Sequence, residues 1–542
     1  MKKDISSIVN LISLGNYVKA LEEAFVIKSK EPLNLDIRKL IVQVRGLTEH
    51  FEDGEKEIRE VFEINPNIQD YDIYNNMGYF LMKNEDFEEA LTYLEKSIVI
   101  NPGRPEAYSN IAEIHIVTRQ FHLAEEFIDL AIEKHIEQDS SLSALYHTLS
   151  LKADINTALK KNNESIKMCI DYLNISFVPN IFWLQTTIDP SSVDDKTIDS
   201  SKKVLEQKNN FRSKIEKFEY TIPILFGLAN YYQKIDKIKS EDYFHQANDE
   251  IFNILRFNLY TYQKRLIEIM DFYSEKIKNH NMSNSDSGES NIFVIGTPRS
   301  GTTLTESIIA SNKDVFAGGE LLSFQNLCEP FFKEGAEIDI IIDQLQKKYA
   351  KRTAYLKGNH KFIVDKLPGN HQLLGLIFKF LPKSKVVRIY RDPWDTAISL
   401  YKQRFVKNQP YSASFFTLGV FMANFEAINL FWDTQISDKS RLMTIYYEEL
   451  VKNKEYYQKK IYDFLDIASA YDEQERANFF AKTASIQQVQ ADIHAKSVKK
   501  SDFEGKKTEF FDAFFQQRQY WIKKGLVERG KDDILGYSIK NT

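Results

Sequence analysis

A repeat of 34 residues constrains the N-terminal half of this 542-residue chain more than any other feature. Tyr74 and Tyr108 are 34 residues apart, and so are Ala90 and Ala124. A period of this length is typical of a helix–turn–helix unit that stacks on its neighbours to bury a shared core. Small residues at Gly78 and Ala90 let the two helices of a pair approach closely, and Pro102 predicts the end of the second helix.

The repeat resembles the tetratricopeptide (TPR) type, which predicts an α-helical TPR-like solenoid over residues 1–275. Divergent units are expected at residues 11–32, 40–66 and 225–248, whereas the helical pattern of residues 135–220 gives no register. The concave face of such a solenoid usually binds protein or peptide. Alternatively, these helices only support the rest of the chain or form a homodimer.

Composition agrees with long helices and excludes several classes of protein. With only 20 Gly and 13 Pro, a sandwich or barrel rich in turns is disfavoured. The 71 Lys and Arg against 77 Asp and Glu give a net charge of −6, so no general attraction to nucleic acid is expected. Cys169 and Cys328 are too few and too far apart for a disulfide framework or a cysteine zinc site.

The apolar patterning predicts a cytoplasmic protein. Asp4 and Asn10 interrupt the apolar residues at the start of the chain, which makes a poor signal peptide. No run of about 18 apolar residues occurs, so no membrane span is expected.

A change of composition predicts a linker at residues 276–290, which are rich in Ser, Asn and Asp and lack apolar periodicity. Residues 291–542 then form a second domain. Its short apolar runs alternate with helical stretches, which predicts an α/β domain with a central parallel sheet. These runs are Ile292–Ile295, Phe362–Val364, Val386–Tyr390 and Leu442–Tyr446. In such sheets, ligands bind beyond the C-terminal ends of the strands.

The first apolar run leads into a glycine-rich loop that indicates an anion site. Gly296 and Gly301 have the spacing of the glycines in the nucleoside-triphosphate P-loop, and Thr303 takes its hydroxyl position. Thr302 stands where that loop has its lysine, and Arg299 supplies a permanent positive charge instead. Backbone N–H groups at such a helix N-terminus bind phosphate. The missing lysine argues against ATP or GTP hydrolysis, and an atypical P-loop kinase is kept as an alternative.

Two motifs resemble sulfotransferases, which use 3′-phosphoadenosine 5′-phosphosulfate (PAPS) as co-substrate. TPRSGTTL is similar to their 5′-phosphosulfate loop, and VVRIYRDPWDTAISLYKQRF is similar to their 3′-phosphate element. The resemblance implies a P-loop-like sulfotransferase domain that needs no metal. A structural ion pair of Arg391 with Asp392 or Asp395 is the alternative for that arginine. The implied cofactor contacts are Arg299, Ser300, Gly301, Thr302, Thr303, Arg391 and Ser399.

Two further segments, FAGGELLSF and KFIVDKLPGNH, resemble the tyrosylprotein-type sulfotransferases and their bacterial relatives. The resemblance implies that Glu320 is the general base and that Lys366 contacts the transferring sulfuryl group, with Arg299 sharing the growing charge. It also suggests a hydroxyl acceptor such as a protein or peptide tyrosine. His371 is the alternative base, because cytosolic sulfotransferases of small molecules use a histidine. The non-enzymatic alternative is an inactive TPR adaptor.

Two last segments complete the resemblance. Residues 482–501 are similar to the family's late cofactor-closing region, in which a basic residue precedes an aromatic one, but Ser501 stands at the aromatic position. A polar loop with solvated lysines is the alternative there. The run Tyr446–Leu450 is similar to the family's strand-end element, for which a structural role is expected. The implied late cofactor contacts are Thr483, Ser485, Gln488, Ser497 and Lys499 or Lys500.

Overall fold

The computed structural model divides the chain into two compact units, Met1–Ile155 and Asn156–Thr542. The residues that it describes are 2–207, 216–281, 287–405, 409–468 and 502–525.

The first unit is a series of helix pairs in chain order. Its helices are Lys2–Ser13, Tyr17–Lys30, Leu35–Leu47, Phe51–Ile64, Tyr71–Lys83, Phe87–Ile100, Glu106–Val117, Phe121–Glu137 and the start of Leu142–Ala158. The solenoid predicted from the 34-residue period is therefore present. The divergent unit predicted at residues 40–66 is a regular pair that begins earlier, at Leu35.

The turn inside each of the first four pairs contains one residue in the left-handed backbone region. These residues are Gly15, Glu49, Glu85 and Arg119, with φ values of 72°, 60°, 64° and 60°. For a residue with a Cβ atom this conformation costs on the order of 1 kcal/mol. Three of the four turns carry that cost, so the low glycine content of the chain does not prevent tight helix pairing.

Close packing within a pair depends on Gly78, as its repeat position predicts. A Cβ atom there would lie 2.5 Å from Leu94 Cγ and 3.1 Å from the backbone oxygen of Ala90, and both of those residues are fully buried. Between pairs, the ring of Tyr74 packs on Phe62 with centroids 5.2 Å apart. The helices thus touch through a small residue within the pair and through aromatic rings between pairs.

The second unit is built on a five-stranded parallel sheet with the order β2-β3-β1-β4-β5. The strands are β1 Asn291–Gly296, β2 Val315–Ala317, β3 Phe362–Asp365, β4 Lys385–Tyr390 and β5 Leu442–Tyr446. The four predicted strands are confirmed, and β1 is buried along its whole length, as expected for the central strand. The three-residue edge strand β2 was not predicted.

Helices surround this sheet. Those before it are Asn162–Ile175, Pro179–Ile188, Asp195–Glu206, Ile222–Tyr232, Lys237–Ile254 and Leu259–Phe272. Those between and after the strands are Thr302–Ile309, Ser323–Cys328, Ile338–Lys357, Leu374–Phe380, Pro393–Tyr401, Phe415–Gln435, Tyr447–Lys452, Lys454–Leu465 and Lys507–Lys523.

The compact units divide the chain at a different place from the predicted linker at residues 276–290. The ring of Tyr273 meets Trp432 with centroids 5.0 Å apart, and Asn248 Nδ2 donates to the backbone oxygen of Tyr401 at 2.9 Å. Helices that precede the sheet therefore share its core. Apolar periodicity identifies a buried helix face but not the element that covers it, which is why the sequence did not reveal this grouping.

One described helix, Phe415–Gln435, is long and apolar enough to cross a membrane by length and composition alone. Its most apolar window has a mean hydropathy of 1.3, and 94% of that window is buried inside the protein. Its Asn424 Oδ1 accepts hydrogen bonds from Gln517 Nε2 at 2.9 Å and Trp521 Nε1 at 2.7 Å. The helix packs here as a core helix of the second unit.

Replacing Gly78 by alanine tests the close helix contact of the repeat. Alanine in a helix interior is normally favourable by about 1 kcal/mol, but here its Cβ would overlap Leu94. Because overpacking costs about 1–3 kcal/mol, we expect Gly78→Ala to lower the stability of the first unit. Hydrogen exchange of the full chain should then show weaker protection in Tyr71–Ile100. The control is Gly103→Ala, whose Cβ would meet nothing closer than 3.4 Å. Equal hydrogen-exchange protection of Tyr71–Ile100 in the two variants would contradict the close contact between Gly78 and Leu94.

Candidate active site

The loop that follows β1 forms a concave turn at the N-terminus of the helix Thr302–Ile309, which we call the loop helix. Arg299 and Gly301 both have left-handed backbones, with φ values of 71° and 103°. Ser300 Oγ donates to the backbone oxygen of Thr297 at 2.7 Å and holds the turn closed. In a loop where left-handed and right-handed backbone conformations alternate, successive N–H groups point to one side. N–H groups arranged in this way can bind an anion.

Two arginines and a serine converge on this loop. Arg299 Nε donates to Ser399 Oγ at 3.1 Å, and Arg391 Nη1 donates to the backbone oxygen of Arg299 at 2.9 Å. Burial, together with the charge of Arg391, lowers the pKa of the Arg299 guanidinium to about 10. Two guanidinium groups held this close repel each other, so an anion bound between them would be strongly stabilised.

Tyr447 and Glu448 support this arginine cluster from the end of β5. The Arg391 guanidinium lies 4.6 Å from the ring centroid of Tyr447, and Glu448 Oε1 accepts from the backbone N–H of Asp392 at 2.9 Å. Tyr447 also packs against the loop, because a Cβ atom on Gly301 would lie 2.4 Å from its Cδ2. The sequence suggested only a structural role for this run, and the structure shows which groups it supports.

Asp392 and Pro393 begin the helix that carries Ser399. The Asp392 side chain caps Pro393–Tyr401 by accepting from the backbone N–H of Asp395 at 2.8 Å, and proline occupies the first turn. This cap fixes the start of the helix and, with it, the position of Ser399 beside Arg299.

Glu320 and Lys366 form the second cluster of predicted site residues. Lys366 Nζ donates to Glu320 Oε1 at 2.6 Å; the lysine side chain is fully buried, whereas that of Glu320 is 46% exposed. Lys366 follows β3 directly, so its position is set by the sheet. The pair thus joins a buried cation to a carboxylate that solvent, or a second substrate, can reach.

Asp365, the residue before Lys366 in the sequence, has a carboxylate that contacts other side chains. Asp365 is fully buried and its Oδ2 accepts from Tyr349 OH at 2.8 Å, while its Oδ1 accepts from Asn370 Nδ2 at 3.3 Å. These bonds fix the end of β3 and leave Glu320 as the carboxylate that Lys366 contacts.

Comparison with protein families agrees with this arrangement of elements. Residues 291–473 match the model of the Sulfotransferase family, and residues 71–104 match a Tetratricopeptide repeat. Residues 291–473 are a sulfotransferase domain.

A relative from Aquifex aeolicus (strain VF5), described as an uncharacterized protein, is 32% identical over 231 residues. The match covers 39% of this chain and 30% of the relative's length. The sulfotransferase domain from the curacin biosynthetic pathway has a TM-score of 0.29 at 19% identity and covers 40% of this chain and 90% of its own. The sulfotransferase domain from the Synechococcus PCC 7002 olefin synthase has a TM-score of 0.31 at 15% identity. That match covers 45% of this chain and 98% of the olefin synthase domain.

His371, the alternative base of the sulfotransferase domain, is buried away from solvent. Its Nδ1 lies 3.0 Å from the backbone oxygen of Pro368, and its ring packs edge-on against Phe425 with centroids 4.7 Å apart. Burial lowers the pKa of this histidine to about 4. An imidazole enclosed in this way belongs to the core beside the helix Phe415–Gln435, whereas Glu320 has an accessible carboxylate.

The remaining predicted contacts divide into two groups. Ser300, Thr302 and Thr303 are buried at the loop and the start of the loop helix, where the family motif puts them. The predicted contacts of the late segment lie outside the described residues. They are Thr483, Ser485, Gln488, Ser497, Lys499 and Lys500. Within the described ranges, no group of three or more His, Cys, Asp or Glu side chains could hold a metal ion.

One contact near the site was not predicted. Glu306 Oε1, from the loop helix, accepts from the backbone N–H of Gly319 at 2.9 Å. No sequence spacing signals a contact of this kind, because it joins residues of two different elements that meet only in the folded protein.

The depressed pKa of His371 makes stability depend on pH. Its folded pKa of about 4 lies below the ordinary 6.5, so between these values the unfolded chain binds more protons. The stabilisation is full above pH 6.5, and about 3 kcal/mol is lost as the pH falls to 4.

Tryptophan fluorescence can measure this loss, because all four tryptophans lie in the second unit. Urea unfolding at pH 7, 6 and 5 should show a shallower pH dependence for His371→Gln than for the unmodified chain. An identical dependence in both proteins would contradict a buried, neutral His371.

Proposed function

We propose that this protein transfers the sulfuryl group of PAPS to an acceptor hydroxyl. The observation that carries the proposal is the convergence of Arg299, Arg391 and Ser399 on a P-loop-like turn that lacks the P-loop lysine. A nucleotide with phosphate groups at both the 3′ and 5′ positions matches two arginines better than a nucleoside triphosphate does. The sulfotransferase-family match of residues 291–473 supports the same reaction class.

The described residues fit such a donor. Arg391 and Ser399 would take the 3′-phosphate, because a guanidinium pairs with two phosphate oxygens while a hydroxyl donates to a third. The N–H groups of the loop and the start of the loop helix would take the 5′-phosphosulfate. Arg299 lies between the two places through its bond to Ser399. PAPS, when bound, supplies the sulfuryl group.

Glu320 and Lys366 would carry the proton and the charge of the transfer. Glu320 accepts the proton of the attacking hydroxyl as the new O–S bond forms and the bond from sulfur to the phosphate oxygen breaks. Lys366 has three N–H donors, of which one meets Glu320, so others can face the oxygens that gain negative charge. The products are a sulfate ester and adenosine 3′,5′-bisphosphate.

We further propose that the TPR-like helices bind a protein partner, such as an acceptor that presents a tyrosine hydroxyl. The Tetratricopeptide repeat match supports an interaction with protein. Binding the acceptor through one surface and transferring to it at another would raise the local concentration of a weakly held hydroxyl.

Calorimetric titration tests the donor. We expect adenosine 3′,5′-bisphosphate to bind more tightly than ATP, and Arg391→Ala to weaken the bisphosphate about 10- to 100-fold by removing a charged bidentate contact. The control is Lys361→Ala, which removes an exposed cation just before β3, at the opposite edge of the sheet. Equal or stronger binding of ATP would overturn the proposal in favour of an atypical kinase.

Substitution of Glu320 tests the base. Glu320→Gln keeps the shape of the side chain but cannot accept a proton, so we expect transfer to fall about 100-fold or more while bisphosphate affinity stays the same. The readout is transfer of labelled sulfuryl from PAPS to host extracts separated into protein and small-molecule fractions.

The same experiment identifies the acceptor class, because label in the protein fraction favours a polypeptide acceptor. Glu329→Gln, an exposed carboxylate that pairs with Arg265, serves as the matched control. Full activity of Glu320→Gln would reassign the base, and an absence of labelled product from the unmodified protein would argue for the inactive adaptor.

A further inference from the structure

Glu306 is a buried carboxylate in an unexpected place. It lies in the loop helix and is fully buried, directly behind a loop that is built to hold an anion. Removing a carboxyl group from water is costly unless hydrogen bonds replace the solvent. Its presence calls for a contribution that outweighs this cost.

That contribution is visible in the turn that carries the proposed base. Glu306 Oε1 accepts from the backbone N–H of Gly319, the residue immediately before Glu320. Gly319 has a left-handed backbone with φ of 70°, and nothing lies within 4 Å of the place where a Cβ atom would stand. The glycine is therefore favoured by the direction of its backbone and not by lack of space.

The other side of the same turn is held by β3. The backbone N–H of Gly318 donates to Val364 O at 2.9 Å, and the backbone N–H of Lys366 donates to Gly319 O at 2.8 Å. Lys366 then reaches forward to Glu320 Oε1 at 2.6 Å. The strand thus fixes the base relative to its lysine, and Glu306 fixes the same turn relative to the loop helix.

We propose that Glu306 is a positioning residue that sets the distance between the donor loop and the base Glu320. In-line transfer needs the attacking oxygen, the sulfur and the leaving oxygen in one row, and displacements of about 1 Å can cost about 100-fold in rate. The loop helix determines where the donor lies, and the Gly318–Glu320 turn determines where the base lies. Glu306 is the side chain that joins them. This inference rests on the proposed function.

Variants of Glu306 separate positioning from bulk stability. Glu306→Leu removes the acceptor for the Gly319 N–H, so we expect kcat to fall about 10- to 100-fold, with the KM for PAPS and the affinity for adenosine 3′,5′-bisphosphate within about 3-fold of the unmodified protein. Glu306→Gln keeps an oxygen that can accept this hydrogen bond, so it should retain most of the activity. The probe is the host fraction that the unmodified protein labels. Ser307→Ala is the control, because Ser307 is equally buried in the same helix and its hydroxyl donates only within that helix, to Leu304 O.

A double-mutant cycle decides whether Glu306 acts through Glu320. If it does, adding Glu306→Leu to Glu320→Gln should lower the rate no further, because the base that it positions is already lost. If the double variant instead showed the product of the two single-variant losses in rate, the inference would be overturned. It would also be overturned if Glu306→Leu weakened bisphosphate binding by as large a factor as it lowered the rate. These outcomes differ from failure of the proposed function, in which the unmodified protein itself transfers no label.

A readout that needs no acceptor completes the test. Hydrogen exchange of the full chain should accelerate in the Gly318–Glu320 turn of Glu306→Leu, but not in that of Ser307→Ala or Glu306→Gln. Unchanged exchange of the turn in Glu306→Leu would contradict the link even if the rate of transfer fell.

Discussion

The close parallel pairing of β1 and β4 is the constraint on which the site depends. Gly296 pairs with Ile389 at the end of these strands, and a Cβ atom on Gly296 would lie 2.7 Å from the backbone oxygen of Ile389. Because both strands run in the same direction, the loop after Gly296 and the arginine after β4 emerge at one edge. The bond from Arg391 to the backbone of Arg299 follows directly from this register.

That edge gathers positive charge in a chain whose net charge is −6. Arg391 Nη1 donates to the backbone oxygen of Arg299, and burial, with a smaller contribution from the charge of Arg391, lowers the pKa of the Arg299 guanidinium. The pairing of β1 with β4 and the Asp392 helix cap hold the backbone segments from which these residues extend. The ligand of the proposed function would then be stabilised without reorganisation of these groups when it arrives.

Much of this organisation can be predicted from the sequence, because it is local. Apolar runs specify the four longer strands, and a glycine-rich sequence before an apolar-periodic segment specifies the loop and the helix that follow β1. The 34-residue period specifies the solenoid, but not the left-handed turns at Glu49, Glu85 and Arg119, where tertiary packing overrides a local preference against that conformation.

The grouping of helices and the contacts of Glu306 could not be predicted for a different reason. Periodicity shows that the helix ending at Phe272 has an apolar face, but only the fold shows that the core around Trp432 covers it. Likewise, the sequence gives Glu306 the appearance of an ordinary polar residue on an amphipathic helix. Its burial and its partner depend on β2, a three-residue strand too short to leave a clear pattern.

The shortness of β2 explains why the proposed base needs support from two sides. β2 is an edge strand that pairs with β3 through only three residues, and it leads directly into the turn that carries Glu320. So short an edge strand places the next residues weakly, since few ladder bonds oppose fraying at its end. Bonds from β3 and from Glu306 replace the missing ladder. A buried carboxyl group behind the loop after β1, unfavourable when considered alone, is then part of what holds the turn of the proposed base next to a three-residue edge strand.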